Sequence, residues 1–172
     1  MEDYYFPRIL LIAGNGRESG KTTLACRLIS RIGAIAPVVA IKISPHKHEG
    51  SNGISIVEED SRTSGKDSAR MLAAGALQSL YIMADDKELT ELVPLLSELS
   101  VNHYIICESG GLRHVIKPGL FVIVNESGRK QIKASLEPLT AYDHLWMDFN
   151  GTAFIPEEKN IYTENDQWQF RK

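Results

Sequence analysis

The chain has 172 residues, enough for one α/β domain with a substantial core and too few for two of ordinary size. Its 19 Lys and Arg against 22 Asp and Glu give a net charge of −3, so composition requires neither a nucleic acid nor an anionic membrane as partner, and any anion site must be local. No apolar run approaches membrane-spanning length, and Met1-Glu2-Asp3-Tyr4-Tyr5 lacks the basic-then-apolar pattern of a leader; the expectation is a single cytoplasmic domain over residues 1–172.

In chain order, Ile9-Leu10-Leu11-Ile12-Ala13 reads as a buried strand. It empties into Gly14-Asn15-Gly16-Arg17-Glu18-Ser19-Gly20-Lys21-Thr22-Thr23, and then into the helical spacing Leu24, Leu28, Ile29, Ile32. Strand, glycine-rich loop and helix in that order make a phosphate loop. A helix start leaves N–H groups unpaired and carries roughly half a positive charge, which stabilises a bound anion. Gly16 and Gly20 let the backbone approach phosphate oxygens, Lys21 reaches the outer phosphates, and the Thr22 hydroxyl suits a magnesium ion, with Thr23 as the spare. The usual spacing, G-x-x-x-x-G-K-[ST], puts Asn15 in the glycine position. Gly14 stands one residue further back, and since Asn tolerates positive φ both registers stay open. The bland alternative is a plain glycine turn with Lys21 in solvent.

Gly33 closes the first helix, and Val38-Val39-Ala40-Ile41-Lys42-Ile43 is a second strand, apolar as a strand covered on both faces should be. From Ser44 to Ser64 the composition turns polar, interrupted by Ile54-Ser55-Ile56-Val57, which reads as a long functional loop. A short helix over Ser68–Ala74 leads to a third strand, Ser79–Met83. Asp85-Asp86 then opens a helix carrying Leu89, Leu92, Leu96 and Leu99 that Pro94 should kink or split. Tyr104–Cys107 and Leu120–Val124 are the fourth and fifth strands, ending at Glu108 and Asn125. Strands alternating with helices predict a mostly parallel, doubly wound sheet in a three-layer α/β/α arrangement. Leu145–Phe149 and Ala153–Ile155 are candidate edge strands of a small C-terminal extension. Ligands of such sheets lie beyond the carboxyl ends of the strands, where the loop, Lys42, Glu108 and Asn125 all fall.

Glu108, followed by Ser109-Gly110-Gly111, is the best candidate for the acidic residue that phosphate-loop enzymes need near magnesium. The alternative is a surface carboxylate. Asp60–Arg70 mixes small residues with both charge signs, as a loop that orders around a nucleotide should; Asp67 or Ser68 equally suits a helix cap. Asn125 can face a nucleobase or form a turn before Glu126-Ser127-Gly128. His46 and His48 read as surface histidines, with metal ligation as the alternative, and Cys26 and Cys107 as buried free thiols.

The chain resembles the MobB family, molybdopterin-guanine dinucleotide biosynthesis protein B. The resemblance spans roughly residues 8–124. It rests on Gly20-Lys21-Thr22-Thr23-Leu24, on Val39-Ala40-Ile41-Lys42 followed by His46 and His48, on Gly65-Lys66-Asp67-Ser68 with Arg70 and Ala74-Gly75-Ala76, and on Ile106-Cys107-Glu108-Ser109-Gly110. It implies GTP binding with magnesium, slow hydrolysis, a homodimer, and support of a guanylyltransferase partner that acts on a molybdopterin-type ligand. The run from Gly14 to Thr22 with its internal Glu18, and Glu108-Ser109-Gly110-Gly111-Leu112, also look like dethiobiotin synthetase, which implies an ATP-dependent ligase using carbon dioxide. A nucleotide-sensing adaptor without useful turnover is a third reading.

Overall fold

The computed structural model describes residues 4–45 and 53–172, and His46 and His48 fall outside them. The strand β1, Tyr4–Asn15, lies inside an eight-stranded mixed sheet of order β3-β4-β2-β5-β1-β6-β7-β8. The other strands are β2 (Val38–Ser44), β3 (Ser55–Glu58), β4 (Gln78–Met83), β5 (Tyr104–Glu108), β6 (Ile116–Glu126), β7 (Leu145–Phe149) and β8 (Phe154–Ile155). All inner pairings are parallel. Only the outermost strands, β3 on β4 and β8 on β7, run antiparallel. The fold is therefore α/β with a mostly parallel sheet, as the alternation of elements predicts.

The period of two in β1 explains why the sheet is covered twice. Ile9, Leu11 and Ala13 enter one apolar cluster and Leu10 and Ile12 the other. The first cluster lies under α3 (Val93–Ser100) and three 3₁₀ turns, Asp86–Leu92, Gly111–His114 and Glu137–Ala141. The second lies under α1 (Lys21–Ile32), α2 (Asp67–Ala73) and a separate hairpin of β9 (Ile161–Glu164) and β10 (Gln167–Phe170). No helix among the described residues is long and apolar enough to cross a membrane.

Three features differ from the expectation. The interruption Ile54–Val57 is not part of a loop. Ser55–Glu58 is paired with Leu80–Met83 of β4, and the backbone of an edge strand needs only one hydrogen-bonding neighbour. The fifth strand starts at Ile116, four residues earlier than its apolar run, because Lys117-Pro118-Gly119 hides the pattern. The β1–β6 register shifts between Phe6 and Leu10, where Pro7 cannot donate a ladder bond, and a Cβ on Gly119 would lie 2.0 Å from the Pro7 carbonyl oxygen. The third difference is the antiparallel β9–β10 hairpin, which the sequence pattern does not announce. By contrast, Leu145–Phe149 and Phe154–Ile155 do extend the sheet edge, and Pro94 stands in the first turn of α3, dividing it from the preceding 3₁₀ turn.

Trp168 anchors the hairpin. It is 1 % exposed, meets the Tyr104 ring edge-on at 5.6 Å and donates its indole N–H to the Arg8 carbonyl at 2.9 Å. Trp168→Ala is expected to cost about 3–5 kcal/mol in chemical denaturation, through lost burial, the cavity and an orphaned carbonyl. A loss under 1 kcal/mol would mean that the hairpin is only loosely docked.

Candidate functional site

Parallel pairing brings Gly14, Lys42, Glu108, Asn125 and Phe149 to one edge of the sheet. Beyond Asn15 the chain curls through Gly16 (φ +111°), Glu18 (φ +56°) and Gly20 (φ +99°) and enters α1 at Lys21. Three left-handed residues in five positions fold the loop back on the strand end. A Cβ on Gly14 would lie 2.5 Å from both Lys21 Cδ and Ser19 Oγ, so Gly14 lets these side chains pack back on the strand end, and Asn15 is the last residue of β1. The first bond of α1 runs from Leu24 N–H to the Gly20 carbonyl at 2.9 Å, which leaves the N–H groups of Lys21, Thr22 and Thr23 outside the helical ladder.

Lys21 arches over the loop, donating to the Gly16 carbonyl at 2.9 Å, with Ser19 Oγ at 3.4 Å. Burial holds its pKa below the ordinary lysine value of 10.5. Glu108 opposes that shift, while Lys42 and Lys133 add to it. If the ammonium binds an anion, affinity must fall as pH rises through the free-state pKa, because only the protonated form attracts the ligand. Phosphate-ligand affinity, measured by calorimetry from pH 7 upward, is expected to decline below pH 10.5, before ordinary surface lysines titrate. Flat affinity up to pH 10.5 would exclude Lys21 from the anion contact.

Thr22, Glu108, Lys42, Asp67 and Arg70 form a continuous polar chain. Thr22 Oγ1 donates to Glu108 Oε2 at 2.8 Å, and Lys42 Nζ reaches Glu108 Oε1 at 2.5 Å and Asp67 Oδ2 at 3.2 Å; Arg70 lies 3.6 Å from Asp67. Lys42 and Glu108 are register partners on β2 and β5, so the parallel pairing itself sets this contact. The Glu108 side chain is 3 % exposed, and Glu108 is accordingly a buried, paired carboxylate rather than a surface one. Burial alone would lower the Lys42 pKa, but the charges and hydrogen bonds of Glu108 and Asp67 raise it overall. Asp67 is the first residue of α2, where Lys66 holds the cap position without a side-chain cap bond; its carboxylate faces Lys42 and Arg70.

A second polar line crosses β1, β6 and β7, where Asn15, Asn125 and Asp148 stand in register. Asn15 Nδ2 donates to Asn125 Oδ1 at 2.9 Å and Asn125 Nδ2 to Asp148 Oδ1 at 2.8 Å. The amide of Asn125, foreseen either at a nucleobase or in a turn, is thus engaged within the protein, and its donor also reaches the Arg129 carbonyl at 3.1 Å. Asn15 in turn holds the segment after β6, donating to the Gln131 carbonyl at 2.8 Å and accepting from Lys133 N–H at 2.9 Å.

That segment and the end of β7 supply residues that sequence reasoning missed. The Arg129 guanidinium lies against Gly16, Lys133 lines the cleft beside Lys21, and Phe149 covers Gly20, where a Cβ would meet its ring at 2.6 Å. Two cations and a small-residue turn at a strand's carboxyl end were the available signal. Arg17 and Glu18 are exposed at the loop tip, Ser19 is buried, and Thr23 is half-buried on α1.

Two clefts meet at Lys42. One, of about 310 Å³, runs from Lys21 and Glu108 past Lys133, Asp86 and His114 to Leu136 and Leu139. The other, of about 820 Å³, is lined by Lys42, Ser44, Lys66, Asp67, Tyr81 and Met83. Among the described residues no three or more His, Cys, Asp or Glu side chains gather as a metal cage. Cys26 and Cys107 are free, as expected, but only Cys107 is fully buried and Cys26 is half-buried; burial pushes both thiols up, so neither is an activated nucleophile. Searches against protein-family models, curated proteins and solved structures found no match to this chain.

Proposed function

We propose that the chain is a magnesium-dependent nucleoside-triphosphate-binding protein built on a phosphate loop. The observation that carries this reading is the convergence of Lys21, the free N–H end of α1 and the Thr22–Glu108 pair on one side of the glycine loop. The donors suit magnesium: a hydroxyl and one carboxylate are hard oxygens, and this ion takes few protein ligands beside phosphate oxygens and water. Thr22 and Glu108 would hold the ion, which when bound neutralises charge on the outer phosphates. Lys21 binds the phosphates, the loop N–H groups orient them, and Lys42 fixes the Glu108 carboxylate.

Within that class the reading taken further is GTP binding with slow hydrolysis, in a cytoplasmic homodimer resembling the MobB helper. Its further partners are a molybdopterin-type ligand and a guanylyltransferase. The support is the Gly65-Lys66-Asp67-Ser68 block, whose Asp67 meets Lys42 beside the larger cleft, where a second ligand has room. Calorimetry with GTP, ATP and their diphosphates, with and without magnesium, tests the class: magnesium-dependent binding with GTP preferred is expected, and no binding of either triphosphate sinks it. Turnover measured beside affinity separates an enzyme from a nucleotide-sensing adaptor. The smaller cleft favours a second reading, an ATP-dependent ligase like dethiobiotin synthetase, because it offers an acceptor site next to Lys21. ATP turnover that requires bicarbonate and an amine acceptor would select it.

A further inference from the structure

We propose that residues 126–133 form a cationic arm whose Arg129 binds the outermost phosphate of a nucleoside triphosphate, and that Asn15 is the residue that positions this arm. The inference rests on the phosphate-loop reading and adds to it a residue outside the loop and a reason for the residue in the glycine position.

The guanidinium lies almost on the loop: an ideal Cβ on Gly16 would be 3.2 Å from Arg129 Nη1 and 3.3 Å from Cζ. Gly16 is also the residue whose carbonyl receives the Lys21 ammonium, so the two cations flank the same peptide. The anionic partner of Arg129 is Glu126, 3.5 Å away, and these side chains are 40 % and 60 % exposed. So long and wet an ion pair holds its partners weakly. A phosphate bearing two or more negative charges and offering two oxygens to the planar fork is a stronger partner than this carboxylate.

The backbone under Arg129 is fixed by buried amides. Asn15 is 1 % exposed and its side chain makes three bonds, to Asn125 Oδ1, the Gln131 carbonyl and the Lys133 N–H, while Asn125 donates to the Arg129 carbonyl. A buried amide is costly unless satisfied, and here each side-chain bond of Asn15 either holds the arm or holds the residue that holds it. Glycine at position 15 would keep the loop's freedom and lose the arm. The same fastening presents Lys133 to the cleft beside Lys21.

An arm that reads the outermost phosphate must distinguish triphosphate from diphosphate. Full-length Arg129→Ala, Arg129→Lys, Asn15→Gly and the Asn15→Gly/Arg129→Ala double variant are titrated by calorimetry with GTP, ATP, GDP and ADP in magnesium. Arg129 is partly exposed and outside both apolar clusters, so its variants should fold as the parent does. The expected result for Arg129→Ala is about a tenfold or greater loss of triphosphate affinity, with diphosphate affinity changed less than threefold; a tenfold loss corresponds to about 1.4 kcal/mol. Lysine should restore only part of it, since a point charge does not replace the fork. Asn15→Gly should reproduce the selective loss, and adding it to Arg129→Ala should cost little more. An equal loss for both nucleotide classes, or no loss in Arg129→Ala, overturns the inference while leaving the phosphate loop in place. A parent protein that binds none of the four nucleotides overturns both readings.

Discussion

Lys21→Ala is expected to weaken triphosphate binding by about 100-fold or more and to leave the fold intact. The size follows from removing a charge-assisted contact at a partly desolvated site, where 100-fold is about 2.7 kcal/mol. The intact fold follows from what the side chain touches. Lys21 belongs to neither apolar cluster, its Nζ hydrogen-bonds, among the described residues, to Gly16 and Ser19 of the loop, and alanine suits the first turn of α1. Burial also disfavours the charged ammonium, so its removal relieves a cost in the free protein. Thermal melting without ligand should therefore match or slightly exceed the parent. Lys21→Met, which keeps the aliphatic stem over Gly14, separates charge from packing: it should bind as poorly as the alanine variant. Full affinity in either variant would remove the phosphate-loop reading.

How far the sequence carries depends on which physical signal each part leaves. The inner strands are legible because burial on both faces demands unbroken apolar runs, and Ile9–Ala13 and Val38–Ile41 are such runs; α1 is legible from the helical spacing of Leu24, Leu28, Ile29 and Ile32. The neighbours Lys42 and Glu108 are legible only as strand-end residues. Their meeting depends on β2 lying next to β5, a matter of strand order that local pattern does not encode. The edge strand β3 is disguised because three of its four residues are exposed, leaving no apolar alternation to read. The hairpin β9–β10 is similarly short, and its one strong signal, Trp168, looks like any aromatic in a polar stretch. Asn15 illustrates the reverse case. Beside glycines it reads as a tolerated substitute, whereas its partners Gln131 and Lys133 lie 116 and 118 residues away. No spacing rule reaches that far.

Glu108→Gln is the second large effect expected, and it tests the polar chain as a unit. Glutamine keeps the size of the side chain but removes the charge and puts an N–H₂ group, two donors, where one of the two oxygens accepted. Its oxygen will turn to the Lys42 ammonium, leaving the amide N–H₂ toward Thr22 Oγ1, which must then accept instead of donate. On the proposed reading, the carboxylate that would hold magnesium beside Thr22 is lost. Nucleotide hydrolysis should fall about 100-fold, while affinity, carried by Lys21 and the loop N–H groups, falls less than fivefold, since charge placement acts mainly in the transition state. The free protein should also lose about 1–3 kcal/mol at neutral pH, the cost of a lost partner at a partly buried group, because Lys42 keeps the half-exposed Asp67 as an anionic partner. The sign with pH is fixed by Lys42. Its folded pKa is raised above 10.5, so the stability the pair contributes is fully present below that value and is lost as pH rises through the folded pKa. Denaturation of the parent from pH 8 to 12 should show that alkaline loss, and the Glu108→Gln variant should show less of it. Adding Lys42→Met should recover part of the neutral-pH stability by removing the underpaired charge. Equal losses in hydrolysis and affinity would reduce Glu108 to a binding residue, and unchanged stability at neutral pH would mean that Asp67 alone suffices for Lys42.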